Sequence, residues 1–157
     1  MTEAERIADQ IRRAAHGHAW HGPALAEALD GVSAAAAAAH PMPGAHSIWE
    51  LVGHVHTWTR AVQRRFEGEH AEPAESENFP AVATPDPAGW TAACQSVLAA
   101  HDLLARAVLG ISSRSLDDGV PGHPYSNYVM LHGAVQHTLY HAGQIVLLRR
   151  ALASRPP

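Results

Sequence analysis

Residues 47–66 read SIWELVGHVHTWTRAVQRRF, and this stretch decides the fold class. Ser47 is followed three residues later by Glu50 and then by an apolar run, which is the pattern of a capping box at the N-terminus of a helix. Apolar residues recur at helical spacing through Phe66, and Gly68 is suited to end the helix. The stretch therefore predicts a long amphipathic helix with one buried face.

The rest of the chain has the same helical periodicity, with glycine and proline between the periodic segments. Further long helices are predicted over residues 3–15, from an Asp86-Pro87 start to about residue 109, and over residues 126–152. A shorter helix is predicted from Pro23, and the acidic residues 69–86 and residues 112–124 are expected to be loops. The pattern predicts an all-α fold, a four-helix bundle with crossover connections, in a single domain of residues 1–157.

Composition excludes several classes of protein. The 157 residues are 46% hydrophobic, which argues against intrinsic disorder, and the 11 basic residues are scattered arginines in a chain of net charge −4, so no nucleic-acid partner is expected. Cys94 is the only cysteine, which excludes a disulfide and a thiolate zinc site within one chain. No signal-peptide or membrane-spanning segment is recognisable, so we expect a cytoplasmic protein without a membrane partner.

Histidine is the unusual feature of the composition, since 13 are present. His137 and His141 are four residues apart, which separates them by about 40° around a helix axis and about 6 Å along it, so that both can bind one metal ion. The pair points into the apolar stripe of its helix, whereas His132 is expected to face solvent. Two buried imidazoles without partners would cost about 2–3 kcal/mol in unmet hydrogen bonds, which a divalent cation would satisfy.

A third ligand is expected from another helix, and three histidines are candidates. The second long helix offers His54 and His56, and the third long helix offers His101. On a helical wheel, His54 and His56 both lie about 100° from the centre of the apolar face, on opposite flanks. His54 has apolar neighbours and His56 has Thr59 and Arg60 beside it, so the wheel favours His54 only slightly.

Two segments have a more specific pattern, namely PGAHSIWELVGH at residues 43–54 and HTLYHAGQI at residues 137–145. Together with Trp20-His21-Gly22-Pro23 and the crossover before Trp90, they resemble the DinB-like (damage-inducible) family over most of the chain. Proteins of this family are four-helix bundles, often dimeric, that hold a divalent metal with one histidine of the second helix and an H-x-x-x-H pair of the last. The resemblance implies a homodimer with a metal site.

Transferred to this chain, the resemblance implies His54, His137 and His141 as the metal ligands. His56 and His101 then lie beside the site or at the surface. Neutral imidazoles suit nickel, zinc, iron or copper, and a set of three ligands leaves positions for water or substrate. Gln144 is expected to orient water or to form a hydrogen bond between helices, and Tyr140 is expected to pack against the core.

The resemblance implies a small-molecule substrate and one of two reactions. Family members are described as metal-dependent hydrolases or as transferases that use a low-molecular-weight thiol such as glutathione, bacillithiol or mycothiol. No general base is evident, because Glu50 caps its helix and the acidic loop lies at no expected pocket, which favours thiol transfer. The alternatives are a non-catalytic metal-binding or stress-associated module, and a bundle whose histidines bind no metal.

Overall fold

The computed structural model describes residues 1–82, 84–110 and 116–154. Within these residues the secondary structure consists of helices, without a strand, and the predicted all-α class is confirmed. The helices are α1 (Glu3–His16), α2 (Leu25–Leu29), α3 (Ala34–Ala38), α4 (Ile48–Phe66), α5 (Glu75–Asn78), α6 (Pro87–Leu109) and α7 (Asn127–Ala153). Four of them are long, and each begins within one residue of its predicted start.

The helix ends follow from local side-chain chemistry. At the start of α4, Ser47 Oγ accepts a hydrogen bond from the Glu50 amide at 3.2 Å, and Glu50 Oε2 accepts one from the Ser47 amide at 2.7 Å. At the start of α6, Asp86 accepts a hydrogen bond from the Gly89 amide at 2.9 Å, with Pro87 in the first turn. These contacts satisfy amide groups that the first turn of a helix leaves free, so they fix where each helix begins.

Helices α1 and α4 each pack against both α6 and α7. The buried apolar residues form two clusters at different heights along these helices, one around Ile48, Val97 and Ile145 and the other around Phe66 and Leu131. Between the two clusters the helices bury a layer of polar side chains, which comprises His54, Thr59, His101, Thr138 and His141. This polar layer positions the candidate site. None of the described helices is long and apolar enough to span a bilayer.

The connection between α4 and α6 differs from the predicted exposed loop. It contains α5, and Ala71 is buried because the chain folds back against α4, where the Ala71 carbonyl accepts a 2.8 Å hydrogen bond from Arg65 Nε. The predicted loop at residues 112–124 begins with residues 112–115, which lie outside the described residues. Its remainder forms turns that bury Val120 and end in an isolated antiparallel bridge between Gly119 and Ser126.

Candidate metal centre

Three imidazoles from α4 and α7 converge at the polar layer, where the half-buried His137 meets His54 and His141. The Nε2 atom of His137 lies 2.9 Å from Nε2 of His54 and 3.1 Å from Nε2 of His141. Two nitrogen ligands about 2.0–2.1 Å from one ion are about 2.9 Å apart at a right angle and about 3.4 Å apart at a tetrahedral angle. The two distances from His137 therefore match the spacing of metal ligands, and the ligand atoms of all three histidines lie within 4.8 Å of one another. The structure brings together the three histidines that the resemblance implied.

The other ring nitrogens of two of these histidines have fixed partners. His54 Nδ1 lies 2.7 Å from the carbonyl oxygen of Asn78, and His141 Nδ1 lies 2.7 Å from Oε1 of Gln144. Both oxygens can only accept, so each Nδ1 carries the proton and each Nε2 presents a lone pair. His137 Nε2 can donate a hydrogen to only one of these two lone pairs. At least one Nε2 lone pair is therefore left without a hydrogen. A bound cation would accept the lone pairs of all three nitrogens.

The electrostatic environment keeps the three imidazoles neutral. Burial lowers the pKa of His54 and of His141 from the ordinary value, in spite of the hydrogen bonds that each ring donates. Burial, together with the neighbouring His141 and His54, lowers the pKa of His137 to about 4. Near pH 7 no proton therefore has to leave before the lone pairs can bind a cation.

The last residue of α5 and the residue after it hold His54 in position. Asn78 accepts from His54 through its backbone carbonyl, and its side-chain Oδ1 accepts a 2.8 Å hydrogen bond from Trp58 Nε1. Phe79 stacks on the His54 ring at 4.1 Å and 3°, and His46 stacks on Phe79 at 3.7 Å and 4°. Because two rings cannot share one face, Phe79 is held between the two imidazoles, and its ring covers one face of His54.

The remaining histidine candidates lie outside the cluster. His101 is buried, donates from Nδ1 to the Val97 carbonyl at 2.7 Å, and accepts from the Thr138 hydroxyl at 2.9 Å through Nε2. It therefore ties α6 to α7 as a structural residue. His56 is half-buried on another face of α4. His132, expected to face solvent, is half-buried, with Nε2 at 3.8 Å from a Glu3 carboxylate oxygen.

Three expectations about residues around the site require correction. The hydrogen bond of Gln144 is made within one helix and not between helices, because its Oε1 accepts from His141 Nδ1 on the same helix. Tyr140 does not pack in the core: it is 66% exposed, and its ring meets the edge of His141 at 5.0 Å. The acidic loop does reach a pocket, since Glu72 and Glu77 line a polar cavity of about 490 Å³ beside Arg60.

A second cavity, of about 300 Å³, begins at His137 and runs between α4 and the first half of α7. Its walls are mostly apolar. They comprise Trp58, Thr59, Val62, Arg65, Tyr125, Val129, Met130, Gly133, Ala134 and His137. The cavity therefore joins the histidine cluster to a space of the size that small-molecule sites occupy.

A sequence model of the DinB superfamily matches residues 19–145. The chain belongs to the DinB superfamily. The matched region contains α2 to α6, most of α7 and all three histidines of the cluster. No curated protein and no solved structure matches the chain. For this DinB protein, membership and the histidine cluster agree with metal binding.

Some residues of the site were not found from the sequence. Asn78 and Phe79 lie 24 and 25 residues after His54, in a segment without periodicity, and no sequence signal connects them to a histidine. The sequence singles out Gln144 but predicts water or another helix as its partner, although a spacing of three on a helix brings two side chains together. The i, i+3 spacing of His141 and Gln144 is therefore the sequence signal for this contact.

Proposed function

We propose that this DinB protein binds one divalent metal ion through Nε2 of His54, His137 and His141 and is a metal-dependent enzyme that acts on a small molecule. The convergence of the three Nε2 atoms within 3.1 Å of His137 carries the proposal, because His54 and His141 both present lone pairs to His137 Nε2, which has at most one hydrogen to donate. Nickel, zinc and iron are the ions that three neutral imidazoles suit.

The donor set favours an open site over a closed structural one. Among the described residues, no fourth histidine, cysteine, aspartate or glutamate joins the group. Structural zinc sites are closed by four protein ligands, whereas catalytic sites keep a position for water or substrate. A bound divalent ion would supply a Lewis acid that lowers the pKa of a thiol or of water near the three imidazoles.

Transfer of a low-molecular-weight thiol is the reaction that we favour over hydrolysis. The described wall of the cavity beside His137 contains no carboxylate that could act as a general base. Glu50, on the same helix as His54, accepts from the Ser47 amide and lies 3.1 Å from His40 Nε2, so its carboxylate is already engaged. A thiol needs less assistance than water because its pKa is much lower.

Metal content is the first test. The protein, purified without a tag and without chelator, is expected to contain about one equivalent of a divalent metal by elemental mass spectrometry. His141→Ala is expected to lose it, because one of three ligands is removed. His56→Ala is the matched control on α4 and is expected to keep it. Wild-type protein that neither contains metal nor takes it up on addition would contradict the proposal.

A second experiment separates an enzyme from a non-catalytic module. Protein loaded with cobalt is titrated with glutathione, and a thiolate-to-cobalt charge-transfer band is expected if the ion has an open position. A visible spectrum that no thiol or water-soluble anion changes would indicate a closed site and support a metal-binding module. A positive result would justify assays with electrophilic substrates.

A further inference from the structure

The cavity beside His137 has walls that select for one kind of ligand. Trp58 and Val62 on α4 face Met130 and Ala134 on α7 across it. The only polar group of the Trp58 side chain is already used, because its Nε1 donates to Asn78 Oδ1 at 2.8 Å. A ligand in this space would therefore meet apolar surface beside Trp58, and burial of its own apolar surface would drive binding.

Arg65 is the one charged side chain in the described part of the wall, and its charge is paired with a carboxylate. It is buried, its Nε donates to the Ala71 carbonyl at 2.8 Å, and its Nη2 lies 3.0 Å from Glu72 Oε1. Its Nη1 lies 3.5 Å from the hydroxyl of Tyr125. Because Glu72 already pairs with the guanidinium, an anionic ligand would have to displace a carboxylate, and an uncharged ligand would not.

We propose that this cavity binds an uncharged, apolar group of about the size of one aromatic ring, as the part of the substrate that selects it. The volume of about 300 Å³ is at the lower end for small-molecule pockets, so a ring with a short chain fits better than a larger ligand. His137, at one end of the cavity, would then lie next to the reacting end of the substrate. The placement of the reacting end beside His137 rests on the proposed function, whereas binding of the aromatic ring in the cavity does not require the metal.

Gly133 offers a way to fill the cavity without disturbing the histidines. It lies one turn before His137 on α7 and lines the cavity, and a Cβ atom at this position would meet nothing within 4 Å. A leucine at 133 would therefore extend into open space. Gly143 is also in α7 with nothing within 4 Å of a Cβ, but it does not line the cavity, so it provides a matched control.

Methionine provides a site-specific readout. Met130 is buried in the cavity wall, whereas the other two methionines, Met1 and Met42, are exposed. Protein labelled with ¹³C at the methionine methyl groups is titrated with benzyl alcohol, and with glycerol as a polar control, both with and without metal. We expect a saturable shift of the Met130 signal with benzyl alcohol, none with glycerol, and no shift of Met1 or Met42.

Gly133→Leu is expected to weaken benzyl alcohol binding at least tenfold while its metal content equals that of wild type, and Gly143→Leu is expected to bind both as wild type does. If the Met130 signal of wild type does not move, or if all three methionines shift together, the inference is overturned. If Gly133→Leu does not fold, the shifts of the three methionine signals of wild-type protein still test the inference. Because metal-free protein is titrated as well, failure of metal binding contradicts only the proposed function.

Discussion

Gln144 Oε1 accepts a 2.7 Å hydrogen bond from Nδ1 of His141, one turn earlier on α7. This contact fixes the tautomer of the imidazole and directs Nε2 toward His137. Partners of this kind orient metal-binding histidines, and their loss lowers metal affinity by about 10–100-fold. Gln144 therefore belongs to the candidate metal centre although it contributes no ligand atom.

Removal of this acceptor is expected to weaken zinc binding. Gln144→Leu should lower affinity by about 10–100-fold in competition with a chromogenic chelator, whereas Gln144→Glu keeps an acceptor and should retain affinity. Gln136→Leu is the matched control, because Gln136 is exposed on the same helix. Equal affinities for Gln144→Leu and wild type would show that His141 does not need this partner.

Gly53 is expected to be intolerant of a side chain. A Cβ atom at this position would lie 2.5 Å from Cγ of Pro80, two residues after Asn78, whose carbonyl holds His54. Gly53→Ala should therefore displace this segment, lower the free energy of unfolding by about 1–3 kcal/mol in urea denaturation, and weaken metal binding. The loss of stability and the weaker metal binding have the same cause, because a Cβ at position 53 would push Pro80 away from α4.

Gly143→Ala is the control for this substitution. Its Cβ would meet nothing within 4 Å, and replacing glycine in a helix interior usually stabilises by about 0.5–1 kcal/mol. The two glycine variants should thus differ in the sign of their effect on unfolding. A stabilised Gly53→Ala protein with unchanged metal affinity would contradict the packing of Pro80 on α4.

Helix boundaries could be predicted from the sequence because their causes are local. The Ser47 and Glu50 capping box and the Asp86-Pro87 start each depend on residues within one turn. The choice between His54 and His56 could not be made in this way, since both lie on flanks of the apolar face. His54 is selected by a carbonyl 24 residues further along the chain.

The contacts of the loop between α4 and α6 could not be predicted from hydrophobic periodicity. Its acidic composition predicts exposure, and Glu75 and Glu77 are indeed exposed. Yet Ala71 is buried against Arg65, and Phe79 stacks on His54. Such contacts depend on how a nonperiodic segment folds back, which neither helical spacing nor composition encodes.

His101 is expected to make stability depend on pH. Burial lowers its pKa from 6.5 to about 4, so the folded protein resists protonation of a group that the unfolded chain protonates near pH 6.5. The stabilisation is complete above pH 6.5 and is lost as the pH falls toward 4, by about 3 kcal/mol. Urea unfolding of metal-free wild type and His101→Leu between pH 7.5 and pH 4 measures this loss as the difference between them, because His137, with its lowered pKa, titrates in both.

His101→Leu should remove that part of the pH dependence. The Thr138 hydroxyl keeps a partner in this variant, because it also lies 3.0 Å from the Ala134 carbonyl oxygen. His21→Leu, at an exposed position, is the control. If wild type and His101→Leu lose the same free energy between pH 7.5 and pH 4, His101 does not titrate as its burial implies.

An exposed apolar face of α7 leads to the last prediction, which concerns the homodimer implied by the family resemblance. Val129, Tyr140 and Leu147 are 54%, 66% and 59% exposed, and spacings of 11 and 7 residues align them along one side of a helix. Burial of this face between two copies would remove apolar surface from water. Leu147→Glu is therefore expected to convert a dimer into a monomer in analytical ultracentrifugation. Leu103→Glu, at an exposed position on α6, should not, and a monomeric wild-type protein would contradict the prediction.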